Sequence, residues 1–164
     1  MRRLTQLTIL LAVGLAAWLA VPRASADADD DTLQYYLKQS DIVVDATVRS
    51  LDGPWYGEAG VANYGAVLDV HAYVKGTLSP APAETLPPGE QPRPRVTIVR
   101  FEMDEQDCLP YLETGARLVL FLKSLPDGTF PAYQTSNFWF GVQPYGPWLV
   151  RRLTEIAGRA EAPR

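Results

Sequence analysis

Two stretches of the chain alternate strictly between apolar and polar positions. In "SDIVVDATVRSL" Ile42, Val44, Ala46 and Val48 fall on one side, and Val43, Asp45, Thr47 and Arg49 on the other. In "GAVLDVHAYVKG" Ala66, Leu68, Val70, Ala72 and Val74 oppose Val67, Asp69, His71, Tyr73 and Lys75. A period of two predicts half-buried strands with their polar rows in water. "RVTIVRFE", beginning at Arg95, reads as a further strand. "ARLVLFLKSL" is different, because it is apolar without interruption from Leu118 to Leu122. That pattern predicts a central strand buried on both faces. Pro126, Asp127 and Gly128 then supply hairpin-turn chemistry, and "FPAYQTSNFWFGVQ" follows as one bent strand or two short ones.

The ends of the chain carry helical spacing instead. Residues 27–38 begin with four aspartates in five positions, an acidic tail entering a short helix. Asp31 is the expected cap, and Leu33, Tyr36 and Leu37 share a face. From Pro147 to the end at residue 164, Leu149, Leu153, Ile156, Ala157 and Ala160 line one face, and proline suits the first turn. Ser79–Arg95 holds six prolines in 17 residues. Neither helix nor central strand runs through such a segment, so it reads as an extended loop inside one domain, residues 39–146. Five or six strands with a helix at each end make a mostly β fold. Even spacing favours a small barrel, with a β-sandwich as the alternative.

The first residues change the picture of where this domain works. Arg2 and Arg3 precede an apolar run of 13 residues, Ile9–Val21, and Ala24-Ser25-Ala26 follows. A basic start, a short apolar core and a small-x-small site describe a secretory signal peptide, residues 1–26, cleaved near Ala26/Asp27. The expected product is secreted or periplasmic, with no membrane span after cleavage. Cleavage removes three arginines and no acids. The 15 Lys+Arg of the whole chain then fall to 12 against 19 Asp+Glu, a net charge of −7. A chain so acidic offers no footprint for a phosphate backbone, so nucleic acid is not an expected partner.

Candidate chemistry is sparse. His71 is the only histidine and Cys108 the only cysteine. Cys108 has no internal partner, which leaves a buried or tolerated thiol, an intermolecular disulfide or a nucleophile whose only available histidine base is His71. Asp69 and His71 lie two apart on one strand face, two thirds of a hydrolytic triad, but no serine elbow accompanies them. Glu102, Asp104 and Asp107 are candidate metal ligands, yet their spacing matches no calcium loop, so a solvated turn is expected, with no metal and no cofactor. The richest stretch is "DGPWYGEAGVANYG", from Asp52 to Gly65. It reads as a glycine-rich loop presenting Trp55, Tyr56 and Tyr64, aromatic surfaces suited to protein or sugar contacts.

The runs "QSDIVVDATVRSL", "VLDVHAYVKGTLS", "RVTIVRFE" and "LETGARLVLFLKSLPDGTFPAY" together resemble a group of secreted bacterial domains. Those domains are similar to the OB-fold barrels of the tissue-inhibitor-of-metalloproteinase and netrin-module type. The resemblance spans Gln39 to Val142, departs at Asp45-Ala46 where the pattern prefers glycine, and makes Val74–Gly76 a strand end and turn. It implies a five- to six-stranded OB-like barrel with short terminal helices. The animal inhibitors of this type act through an N-terminal cysteine, and this sequence has none at that end. The expected function is a secreted, non-enzymatic binding module for another extracytoplasmic protein or a saccharide. A metallopeptidase inhibitor and a hydrolase are the alternatives.

Overall fold

A computed structural model describes residues 28–57, 61–80, 91–101, 112–125, 132–136 and 140–161, with Arg100, Phe101 and Glu161 described by backbone alone. The elements in chain order are α1 (Asp30–Gln39), β1 (Ile42–Tyr56), β2 (Val61–Lys75), β3 (Arg95–Phe101), β4 (Arg117–Leu125), β5 (Ala132–Thr135), β6 (Val142–Pro144) and α2 (Pro147–Glu161). β1 pairs antiparallel with β2 and also with β4, and β2 pairs antiparallel with β3. β3 runs parallel to β5 where Thr97 meets Gln134, and β5 pairs antiparallel with β4. The ring β1-β2-β3-β5-β4 thus closes on β1, and β6 adds to β4. This is a small OB-like barrel, and the closed ring settles the choice against a sandwich.

β1 makes the closure possible. Its first half, Ile42–Thr47, is flanked by β4 on one side and β2 on the other; from Ser50 onward it pairs with β2 alone. Extra residues interrupt the β1–β2 register at His71 and Val74 on β2, at Arg49 on β1, and between Asp52 and Trp55. Such bulges bend and twist a strand pair, as a barrel of few strands requires. Gly76 ends β2 at a φ of 62°. A Cβ there would lie 2.5 Å from the Asp41 carbonyl oxygen, so the turn expected at "VKG" depends on glycine.

The barrel interior holds the alternating apolar sets. Ile42, Val44, Ala46 and Val48 of β1 meet Ala66 and Leu68 of β2, Val96 and Ile98 of β3, and Leu118, Leu120 and Leu122 of β4. A second core lies outside the barrel, between the β1–β4 wall and the helices. Val43, Val119 and Phe121 face outward there, against Leu33 and Leu37 of α1 and Leu149, Leu153 and Ile156 of α2. All five residues from Leu118 to Leu122 are fully buried, as their unbroken apolar run requires.

Three expectations need correction. Alternation places the second face of β1 in water, but Val43 and Asp45 are both buried. A residue's own polarity is all that alternation reports, and the two terminal helices cover this wall whatever that polarity is. The same pattern groups Val74 with Leu68 and Val70, yet Val74 packs into the helical core, because the extra residues at His71 and Val74 turn the end of β2 over. Asp29 rather than Asp31 caps α1, its Oδ1 accepting from the Thr32 amide at 2.8 Å. A cap must reach an amide two or three residues ahead from outside the helix, and Asp31 already lies in the first turn. At the other end of α1, Lys75 Nζ donates to the Leu37 and Ser40 carbonyls, tying the helix to the end of β2. Among the described residues, no helix is long and apolar enough to cross a membrane.

Candidate ligand-binding face

Most of the described part of Asp52–Gly65 is strand rather than loop. β1 continues to Tyr56 and β2 begins at Val61, with Trp55 opposite Asn63 and Tyr56 opposite Ala62. The Gly57 amide donates to the Val61 carbonyl at 2.8 Å and closes the hairpin. The glycines that suggest a loop instead permit a close approach. Gly65 is bare beneath Trp55, and a Cβ on it would meet the indole Cη2 at 3.1 Å and Cζ3 at 3.3 Å. The Asn63 side-chain amide donates to the Trp55 carbonyl at 3.3 Å and holds the strand beneath the ring.

The three aromatic candidates do not form one platform. Trp55 lies over Gly65 on the outer surface and is 54% exposed. Tyr64, one residue away on a period-two strand, packs against the barrel core. Tyr56 is 68% exposed and lies opposite buried Ala62, on the other side of the hairpin from Trp55.

What Trp55 joins is a groove of about 350 Å³ across the outer face of β1, β2 and β3. Asp52 opposes Gly65, and Gly65 opposes Thr97, so these three form one row across the sheet. Val67 opposes Arg95 in the next row. Ala132 of β5 stands at the far side. Asp52 and Arg95 are exposed, and neither takes part in an ion pair or side-chain hydrogen bond among the described residues. They stand on strands either side of β2 and two residues apart along them, roughly 12 Å by strand spacing and rise, with the Gly65–Val67 floor between them.

The neighbouring polar residues are committed. Asp69 Oδ1 accepts from Arg93 Nε at 2.6 Å. Thr47 Oγ1 and His71 Nε2 are 2.7 Å apart. Asp69 and His71 therefore each engage a different residue, and among the described residues no hydrogen bond joins them. On the helix-covered wall, Arg117 grips buried Asp45 through both carboxylate oxygens, at 2.9 and 2.7 Å. It also lies over the Tyr145 ring at 3.7 Å. The bond to Asp45 raises the Arg117 guanidinium further above its ordinary value. Among the described residues, no buried side-chain nitrogen or oxygen lacks a partner. Uncommitted polar chemistry is thus a property of the open face.

Glu102, Asp104, Asp107, Cys108, the turn expected at Pro126–Gly128 and the expected signal peptide, residues 1–26, lie outside the described residues. The strands flanking that turn do pair antiparallel, Leu125 against Ala132. In the sequence Asp52 marks only the start of the expected loop, and Arg95 and Thr97 read only as strand residues. The signal that could have found these two is the alternation of "RVT" in β3, which places Arg95 and Thr97 on one face. No protein-family model matches the chain, and neither does any curated protein sequence.

Proposed function

We propose that this chain is a secreted, non-enzymatic binding module that engages its ligand on the Trp55 face of an OB-like barrel. One observation carries the reading: a carboxylate, a guanidinium and a half-exposed indole surround one groove, while nearby Asp69, Arg93, Thr47 and His71 have partners. The position also supports it, since the outer face around β2 and β3, flanked by the β1–β2 connection, is where OB folds commonly take ligands. The leader-like sequence at residues 1–26 supports export.

The test is capture. Immobilised mature chain is exposed to cell-envelope and culture fractions beside Trp55→Ala and Arg95→Ala versions, and bound protein and saccharide are both measured. Tyr64 is left intact because it packs on the core. Material held by the native chain and released by both substitutions, with all three melting alike, supports the reading. Equal capture by all three baits overturns it.

A further inference from the structure

We infer that the ligand of this face is a saccharide carrying a carboxylate, a uronate-type sugar; this rests on the binding-module reading above. The groove is of small-ligand size: about 350 Å³, at the lower end of the ~300–1,000 Å³ spanned by small-molecule sites. Its floor is sheet without a protruding side chain at Gly65, and Trp55 lies across that position. A sugar ring suits this half-exposed indole, since its C–H face packs on an aromatic ring while its hydroxyls point sideways.

The charges then distinguish among sugars. Arg95 has no carboxylate partner among the described residues. Its fork matches a carboxylate in two parallel hydrogen bonds. Asp52 stands across the groove, on the far side of β2, where its carboxylate accepts from ligand hydroxyls. The Thr97 hydroxyl lies in the same row as Asp52 and both donates and accepts. A ligand spanning the groove therefore presents a carboxylate at the β3 side and hydroxyl donors at the β1 side.

The sheet also argues against an extended peptide. Peptides bind sheets by adding a strand to a free edge, through main-chain hydrogen bonds. Here Gly65 and Val67 have β1 on one side and β3 on the other. The groove lies on the face of a paired sheet, so recognition falls to side chains.

Isothermal titration calorimetry of the mature chain decides the matter, using a trigalacturonide, its carboxyl-reduced neutral counterpart and tri-glutamate. We expect the uronide to bind and the reduced sugar to bind at least about tenfold more weakly, the worth of one charge-assisted contact. Arg95→Ala should erase that difference and leave the weak neutral affinity. Trp55→Ala should lose both sugars, and Trp55→Phe should restore part of the binding. Rising salt should weaken the uronide alone. Equal affinity for acidic and neutral sugar overturns the inference. So does tri-glutamate binding as tightly through the same residues, an outcome that makes the ligand a peptide. Silence from all three probes, with capture still dependent on Trp55, overturns the ligand class and leaves the module standing. Silence together with capture indifferent to Trp55 overturns both.

Discussion

The two walls of this barrel treat charge in opposite ways. On the β1–β4 wall the terminal helices exclude water, and the charged groups beneath them are tied to partners. Asp45 is held by Arg117, and Lys75 reaches the carbonyls at the end of α1. On the outer face of β1, β2 and β3, around Gly65, Asp52 and Arg95 stay in water and unpaired among the described residues. Desolvation accounts for the difference. A buried charge without a partner is costly, whereas an exposed one is not, so only an open wall leaves charged groups ready for a ligand.

The comparison breaks most visibly in the covered core. Phe121 is fully buried, lies edge-on to Phe140 at 5.3 Å, and sits against both helices. Phe121→Ala should destabilise the fold by about 3–5 kcal/mol in urea unfolding, a large share of the ~5–15 kcal/mol that holds a typical domain together. Arg117→Ala should come next, because it leaves the Asp45 carboxylate buried and uncompensated. Asp45→Asn, which removes that charge, should be milder in a thermal melt, and removing both partners together milder than losing Arg117 alone. If Arg117→Ala melts like the native chain, the covered wall does not depend on pairing.

A smaller effect depends on pH and again separates the walls. The hydrogen bond from Arg152 holds the Asp30 carboxyl below its ordinary value of 3.8, and the bonds from Thr32 do the same for Asp29. A carboxyl depressed in the folded chain adds stability above the unfolded value and loses it as the pH falls through the folded one. The contact between α1 and α2 should therefore weaken in acid, below the ordinary value of 3.8. Asp30→Asn should melt earlier than the native chain at neutral pH, and the two curves should converge as the pH drops below the carboxylate range. A gap of constant size into strong acid would mean that the ion pair is not what links the helices.

The barrel was legible because period-two alternation and the Leu118–Leu122 run record, residue by residue, which positions enter a core. The covered wall was not. Asp45 reads as solvent-facing yet is buried, and nothing in β1 itself says that a helix beginning at Pro147 will fold over Val43. The proposed binding face was half legible. Trp55 stood out by type, but its partners come from β3, brought alongside by pairing across about 30 residues. Gly65 misled, because glycine signals a loop in sequence as readily as a close approach in space. Tyr64 misled in another way, since one step along a strand reverses the side to which an aromatic points.

The smallest expected change in stability is also the sharpest test of the open wall. Arg95→Ala removes an exposed, unpaired side chain and should alter stability by less than about 0.5 kcal/mol. Gly65→Ala reaches the site without substituting any ligand-contacting side chain. Its new methyl would meet the far edge of the Trp55 ring at 3.1 to 3.3 Å, and an exposed indole can swing aside to admit it. The barrel should therefore melt within about a degree or two of the native chain, a shift well under 1 kcal/mol, while ligand affinity falls nearly as far as in Trp55→Ala. A Gly65→Ala chain that binds at full strength would show that the seat of the indole over Gly65 is incidental. Only if Trp55→Ala also bound at full strength would the contact face have to lie elsewhere on the barrel, with exposed Tyr56 the next place to look.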